Sequence, residues 1–309
     1  MIRSLFFMVL FSLLAGCASR AIVKDNKDIT DASRAEAKEH LALAMRFSVV
    51  AHKLAVSGRD NCKYRMPIIP FSVFYNPETE GFSESIRSAF FEIGGFDGYP
   101  RVLTSFTSHI KPGDRIDSID GKDVGSDPQG AFFQRKIVVG AFEDKRYEIK
   151  VNGEVVKQDG EMCIYAIWYR PDSKFKQWPV QSLHEMSVIQ VPGNIWLKHQ
   201  LTYDELAFFA AVNISSWAVG NMDSIKTTGK VGAVFGIIPL LRILAIPVFT
   251  SVAKVQYASM ESDMYLSAIK IMKSAGYDPQ AGVSYMKKFQ KNAAEDISKY
   301  EKVLADNLN

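Results

Sequence analysis

The sequence predicts an α+β fold, mostly helical, with a small β-rich insert in the first half of the chain. Three observations carry this reading. Residues 31–57 place Ala37, Leu41, Ala44, Ala51 and Leu54 on one helical stripe. Residues 102–155 carry short alternating segments separated by Pro-Gly, Asp-Gly and Asn-Gly turns, the signature of antiparallel hairpins. From Thr202 onward the apolar spacing is again helical, punctuated by cap residues.

The chain opens with Arg3, an apolar run from Leu5 to Leu14, and then Leu14-Ala15-Gly16-Cys17. The run is too short to span a bilayer as a stable helix, and it has the length of a signal-peptide core. Small residues before a Cys admit a signal peptidase, and the thiol takes the lipid. The expectation is a bacterial lipoprotein with residues 1–16 removed, Cys17 lipidated, palmitate included, and residues 17–30 as a polar tether. Ala18 is not Asp, which favours the outer membrane, with the protein facing the periplasm.

The 309 residues are 47% hydrophobic and 23% charged, with a formal charge of +3, so composition is that of an ordinary globular chain. No Lys/Arg run is long enough to suggest nucleic-acid binding. Apart from Cys17, the chain has Cys62 and Cys163. An even count in an oxidising compartment predicts a disulfide, the other reading being two buried thiols. A bridge closing so long a loop stabilises by about 4 kcal/mol in the chain-entropy model.

After the first helix, Pro67, Pro70 and Pro77 predict loops around one strand near Ile68–Tyr75, and Ser83–Ile93 a short helix. Val102–Phe106 alternates as a strand. Pro112-Gly113-Asp114 turns into a strand with Ile116 and Ile119 inside. Asp120-Gly121 and Asn152-Gly153 then fit two-residue hairpins. The stretch from Ile110 to Val124 resembles the Leu-Lys-Pro-Gly-Asp-x-Ile-x-x-Ile-Asn-Gly-Lys-x-Val hallmark of PDZ domains, and the looser likeness covers residues 86–165. That resemblance implies capture of an extended peptide at a sheet edge, with Gly94-Gly95-Phe96 the nearest equivalent of a carboxylate loop. A rigid β-module without a ligand is the other reading.

Farther on, Ser187–Leu201 predicts a hairpin across Pro192-Gly193-Asn194. Its strands would present Val188, Ile189, Val191, Ile195 and Trp196 as a peptide-binding edge. Thr202 and Glu205 form a capping box that opens a helix running to about Gly220. Residues 231–250 are apolar but broken by Pro239, Arg242 and Pro247, which argues for core or membrane-surface contact over a spanning helix. A helix over Ser251–Ser274 ends at Ala275-Gly276-Tyr277-Asp278-Pro279, and two amphipathic helices finish the chain.

Three blocks in this order, the hairpin, Leu201-Thr202-Tyr203-Asp204-Glu205-Leu206-Ala207 and Ile271-Met272-Lys273-Ser274-Ala275-Gly276-Tyr277-Asp278-Pro279, resemble the zinc metallopeptidases of the CAAX prenyl protease type (peptidase family M forty-eight). The resemblance implies a zincin-like domain built from residues 31–85 and 166–309, with the PDZ-like module inserted at 86–165, as in lipoprotein members of that family. It also locates the family's His-Glu-x-x-His, in which two imidazoles hold zinc and the carboxylate activates water. Here that stretch is Val212-Asn213-Ile214-Ser215-Ser216. Val212 and Ser216 replace the histidines, and Asn213, which cannot take a proton, replaces the base. Glu261 keeps the third ligand position, and Tyr265 replaces the family's downstream Asp.

The expected site is thus a vestigial zinc site at Val212, Asn213, Ser216 and Glu261, with no metal or cofactor. The five histidines, His40, His52, His109, His184 and His199, include no pair at i, i+4 and read as packed or surface residues. The expected function is an inactive metallopeptidase-like scaffold. Its partners would be the membrane, through lipid, and an extended peptide or envelope protein. The alternative is an active envelope zinc endopeptidase with substitute ligands.

Overall fold

The structure, a computed structural model of the full chain, describes residues 29–74, 83–94, 99–124, 146–165, 167–170, 189–218, 262–289 and 294–307. Residues 1–28 with Cys17, the segment 231–250, Gly95, Phe96, His184, Val188 and Glu261 lie outside that set. Helix α1 is Asp31–Ser57, and its first turn is closed by a reciprocal cap. Thr30 Oγ1 accepts from the Ser33 N–H at 3.1 Å, and Ser33 Oγ accepts from the Thr30 N–H at 2.9 Å. The helix stops at Gly58, where a Cβ would come within 2.8 Å of Ile271 Cγ1, so only glycine permits that approach.

A 3-10 turn, Arg59–Asn61, leads to β1 (Arg65–Pro67) and β2 (Phe71–Phe74), two strands where the sequence suggested one. Helix α2 is Glu84–Gly94 and β3 is Arg101–Ser105. β2 pairs antiparallel with β3, with a register shift between Ser72 and Val73. Next come β4 (Ile116–Ile119), β5 (Lys122–Asp123), β6 (Ile149–Val151) and β7 (Glu154–Val155), which form an antiparallel sheet in the order β5-β4-β6-β7. Both expected two-residue turns are present. Asp120 and Gly121 have φ of 52° and 71°, and Asn152 and Gly153 have 49° and 82°. Both turns keep φ positive at two successive residues, which matches the twist of the flanking strands. Asp117 reinforces the second by accepting from the Gly153 N–H, and the Asn152 side chain accepts from the Arg115 N–H.

β8 (Glu161–Cys163) returns to pair antiparallel with β1. Beside that pair the expected disulfide Cys62–Cys163 is formed, with Cα atoms 5.6 Å apart, and both cysteines are buried.

β9 (Ile167–Arg170) pairs parallel with β10 (Ile189–Pro192). This corrects the expected hairpin over 187–201. The chain does not turn back at Pro192-Gly193-Asn194; it starts helix α3, Gly193–His199. The reason is Trp196, which is 1% exposed. It packs edge-on against Phe47 at 5.3 Å and Phe209 at 4.8 Å, and that burial fixes a helix where Ile195-Trp196-Leu197 alone is ambiguous.

Helix α4 is Tyr203–Ala218, α5 covers residues 262–274, α6 is Ala281–Phe289 and α7 is Ala294–Ala305. The fold is therefore α+β, with small, mainly antiparallel sheets. None of the described helices is long and apolar enough to cross a membrane. The main core runs from α1 through α3–α7 and into the sheets, and a second cluster joins α1 and α2 to Leu103 of β3.

Candidate functional site

Three of the four positions of the predicted site, Val212, Asn213 and Ser216, lie on α4. Thr202 and Glu205 make the capping box, with Glu205 Oε2 accepting from the Thr202 N–H at 2.9 Å and Thr202 Oγ1 accepting from the Glu205 N–H at 3.2 Å. Glu205 is 2% exposed. It also accepts from Ser284 Oγ at 2.7 Å and from Lys288 Nζ at 2.8 Å, both on α6. Burial alone would raise its carboxyl, but Lys288, the Thr202 N–H and the Ser284 hydroxyl outweigh it and hold the group below the usual carboxylate range. An ionised carboxylate buried this far keeps α4 and α6 in register.

The two sequence blocks that carry the peptidase resemblance meet directly. Asp204 Oδ1 accepts from the Asp278 N–H at 2.9 Å, across 74 residues of chain. Between them α5 ends in a left-handed glycine cap. Gly276 has φ of 71°, its N–H donates to Lys273 O at 3.0 Å, and the Tyr277 N–H donates to Met272 O at 3.0 Å. Tyr300 Oη donates to Pro279 O at 2.7 Å and closes the junction from α7. Gly282 of α6 sits so close to Phe208 and Tyr300 that an added Cβ would lie 2.7 Å and 2.6 Å from their rings.

Within this junction every residue from Glu205 to Ser215 is buried. Val212 is 0% exposed and belongs to the main core. The Asn213 amide donates back to Phe209 O at 2.8 Å, one turn earlier on its own helix. Side chains at these two positions face packed protein. Ser216 lies on the same helix, with its side chain outside the described set, so the four predicted positions are seen together only in part. Among the described residues no cluster of three or more His, Cys, Asp or Glu could hold a metal.

The predicted peptide edge is redistributed. Ile189 and Val191 lie in β10, which takes β9 as its neighbour, and Val191 is 0% exposed. Ile195 and Trp196 belong to α3 and cannot extend that edge. Among the described residues the outer strands of the four-stranded sheet are β5 and β7, each two residues long and exposed.

Of the histidines, His109 and His199 are exposed, His199 against the Phe289 ring at 4.8 Å. His40 and His52 are buried in α1, and burial lowers each from 6.5 to about 4. Sequence reading missed what His52 does. Its ring stacks on Phe106 at 3.7 Å and 5°, and Tyr165 Oη lies 3.4 Å from its Nδ1. No spacing rule brings residues 52, 106 and 165 together; the one signal was a histidine on the buried stripe of an amphipathic helix.

No family model, curated protein or solved structure matches this chain. The resemblance to the peptidases rests on the residues quoted above.

Proposed function

We propose that this chain is a catalytically inactive, metallopeptidase-like lipoprotein of the bacterial envelope that acts as a binding or scaffold protein. The observation that carries the reading is the content of α4. Its first turn and the cap before it, Leu201 to Ala207, follow the family pattern and are tied through Asp204 to the equally family-like Ala275–Pro279 turn. The positions that would do the chemistry are Val212, Asn213 and Ser216. Hydrolysis by a zincin needs a metal to polarise the carbonyl and a base to take the proton of water. A valine side chain offers no ligand atom, and an amide committed to Phe209 O is no base. What the arrangement supports is binding without cleavage. The partner class is an extended peptide or envelope protein pairing with a sheet rim, and the membrane is reached through lipid on Cys17.

Zinc-supplemented protein incubated with unfolded casein, beside an active family member, tests the inactive half of the reading. No chelator-sensitive cleavage is expected. Cleavage that chelator removes and Glu261→Gln abolishes would restore the alternative, an envelope zinc endopeptidase with substitute ligands. Fractionation of Cys17→Ser tests the anchor: the variant should leave the membrane fraction, and retention there in high salt would overturn it.

A further inference from the structure

Phe106 and Tyr165 stand on the two chain segments that flank the four-stranded sheet, one upstream of β4 and one downstream of β7. Both close on a single imidazole of α1. His52 is 9% exposed, with Phe106 stacked on its face and the Tyr165 hydroxyl against Nδ1. We propose that this joint is an acid-operated latch: protonation of His52 releases Phe106 and Tyr165 from α1 and loosens the sheet's attachment, while Cys62–Cys163 keeps the segment covalently tied.

The surroundings decide the direction. On α1 the nearest charge in sequence is Lys53, a cation, whose ammonium lies over the Tyr277 ring at 4.7 Å. One turn earlier Ser48 is buried and uncharged. From the β3 side comes Phe106 and from the β8 side Tyr165, whose phenol burial keeps neutral. The neighbouring cysteines are bonded and do not titrate. Among the described residues no carboxylate meets the new charge, and burial is what lowers this imidazole from 6.5 to about 4. His40 differs: Glu36 Oε1 lies 4.0 Å from its Nε2, and the Asn194 amide favours its charged form. The latch is therefore assigned to His52.

Opening that takes up one proton becomes about tenfold more favourable per pH unit as pH falls from 6.5 to about 4. The Phe106 N–H, which donates to Pro70 O at 2.8 Å, is the probe. In the full chain its hydrogen-exchange protection factor should fall with that slope. In His52→Gln the slope should vanish, and in His109→Gln, at an exposed histidine, it should persist. Titration of the His52 ring by NMR in the unmodified chain gives an independent check that needs no variant. A His52 midpoint near 6.5, or protection at Phe106 that stays flat between pH 7 and 4, would overturn the proposal. So would an unchanged slope in a folded His52→Gln chain.

Discussion

The α4–α6 junction and the four-stranded sheet solve the same problem in opposite ways. In the junction, groups far apart in sequence hold one another: Asp204 with Asp278, Glu205 with Ser284 and Lys288, Tyr300 with Pro279. In the sheet, shape is set mainly within a few residues, by Asp120-Gly121 and Asn152-Gly153 taking left-handed φ values. The difference teaches where each region should fail. Removing a tie in the junction exposes the main core and should act globally, whereas straining a turn in the sheet should act locally.

The largest effect should come from the bond that ties the chain just after α1 to β8, downstream of the four-stranded sheet. Replacing Cys62 and Cys163 together by Ala should lower stability by about 4 kcal/mol, read from denaturant midpoints, since the bridge closes a separation of 101 residues. A loss confined to the exchange of residues 99–124 and 146–165, with the midpoint unmoved, would show the two regions to be energetically separate.

Next, Glu205→Ala should cost about 3 kcal/mol, because it removes a buried carboxylate and leaves Lys288 and the Thr202 N–H without their partner. Glu205→Gln keeps the cap and loses only the charge, so it should cost less. The pH sense follows from the lowered carboxyl. Its stabilisation is full above the unfolded value near 4.5 and is lost as pH falls through the lower folded value. That window lies on the acid side of the one opened by His52, so the sheet's attachment should loosen before the helical junction does.

The smallest effect belongs to the sheet. Gly153→Ala places a Cβ in open space but at φ of 82°, so it should cost only about 1 kcal/mol of backbone strain. Its signature should be faster exchange in β6 and β7 with α4 unaffected. Faster exchange across α4 and α6 as well would break the distinction between the regions.

The same contrast explains what could be read from the sequence. Local chemistry was legible: the two glycine turns, the Thr202–Glu205 box, the Gly276 cap and the bounds of α1 all follow from neighbouring residues. The disulfide followed from parity and compartment. The parallel pairing of β9 with β10 did not, because nothing in 189–192 names its partner. Helix α3 was misread as the return of a hairpin because three consecutive apolar residues carry no period, and only the fit of Trp196 among Phe47, Phe209 and Tyr285 decides it. At the candidate site, it was plain from the residues that Val212 and Asn213 offer neither a zinc ligand nor a base. The dense burial around them, and the Lys288 that neutralises Glu205, belong to tertiary structure.

The bond between Cys62 and Cys163 also sets how tension would travel through the molecule. A pull applied at the two chain ends passes from the end of α1 across the sulfur atoms toward β9, bypassing everything between. The loop so shielded spans 101 positions, a contour of about 340 Å that stays slack however hard the ends are drawn. The β4–β7 sheet is thus mechanically unloaded, and a pull on the chain ends would be felt first by the helices.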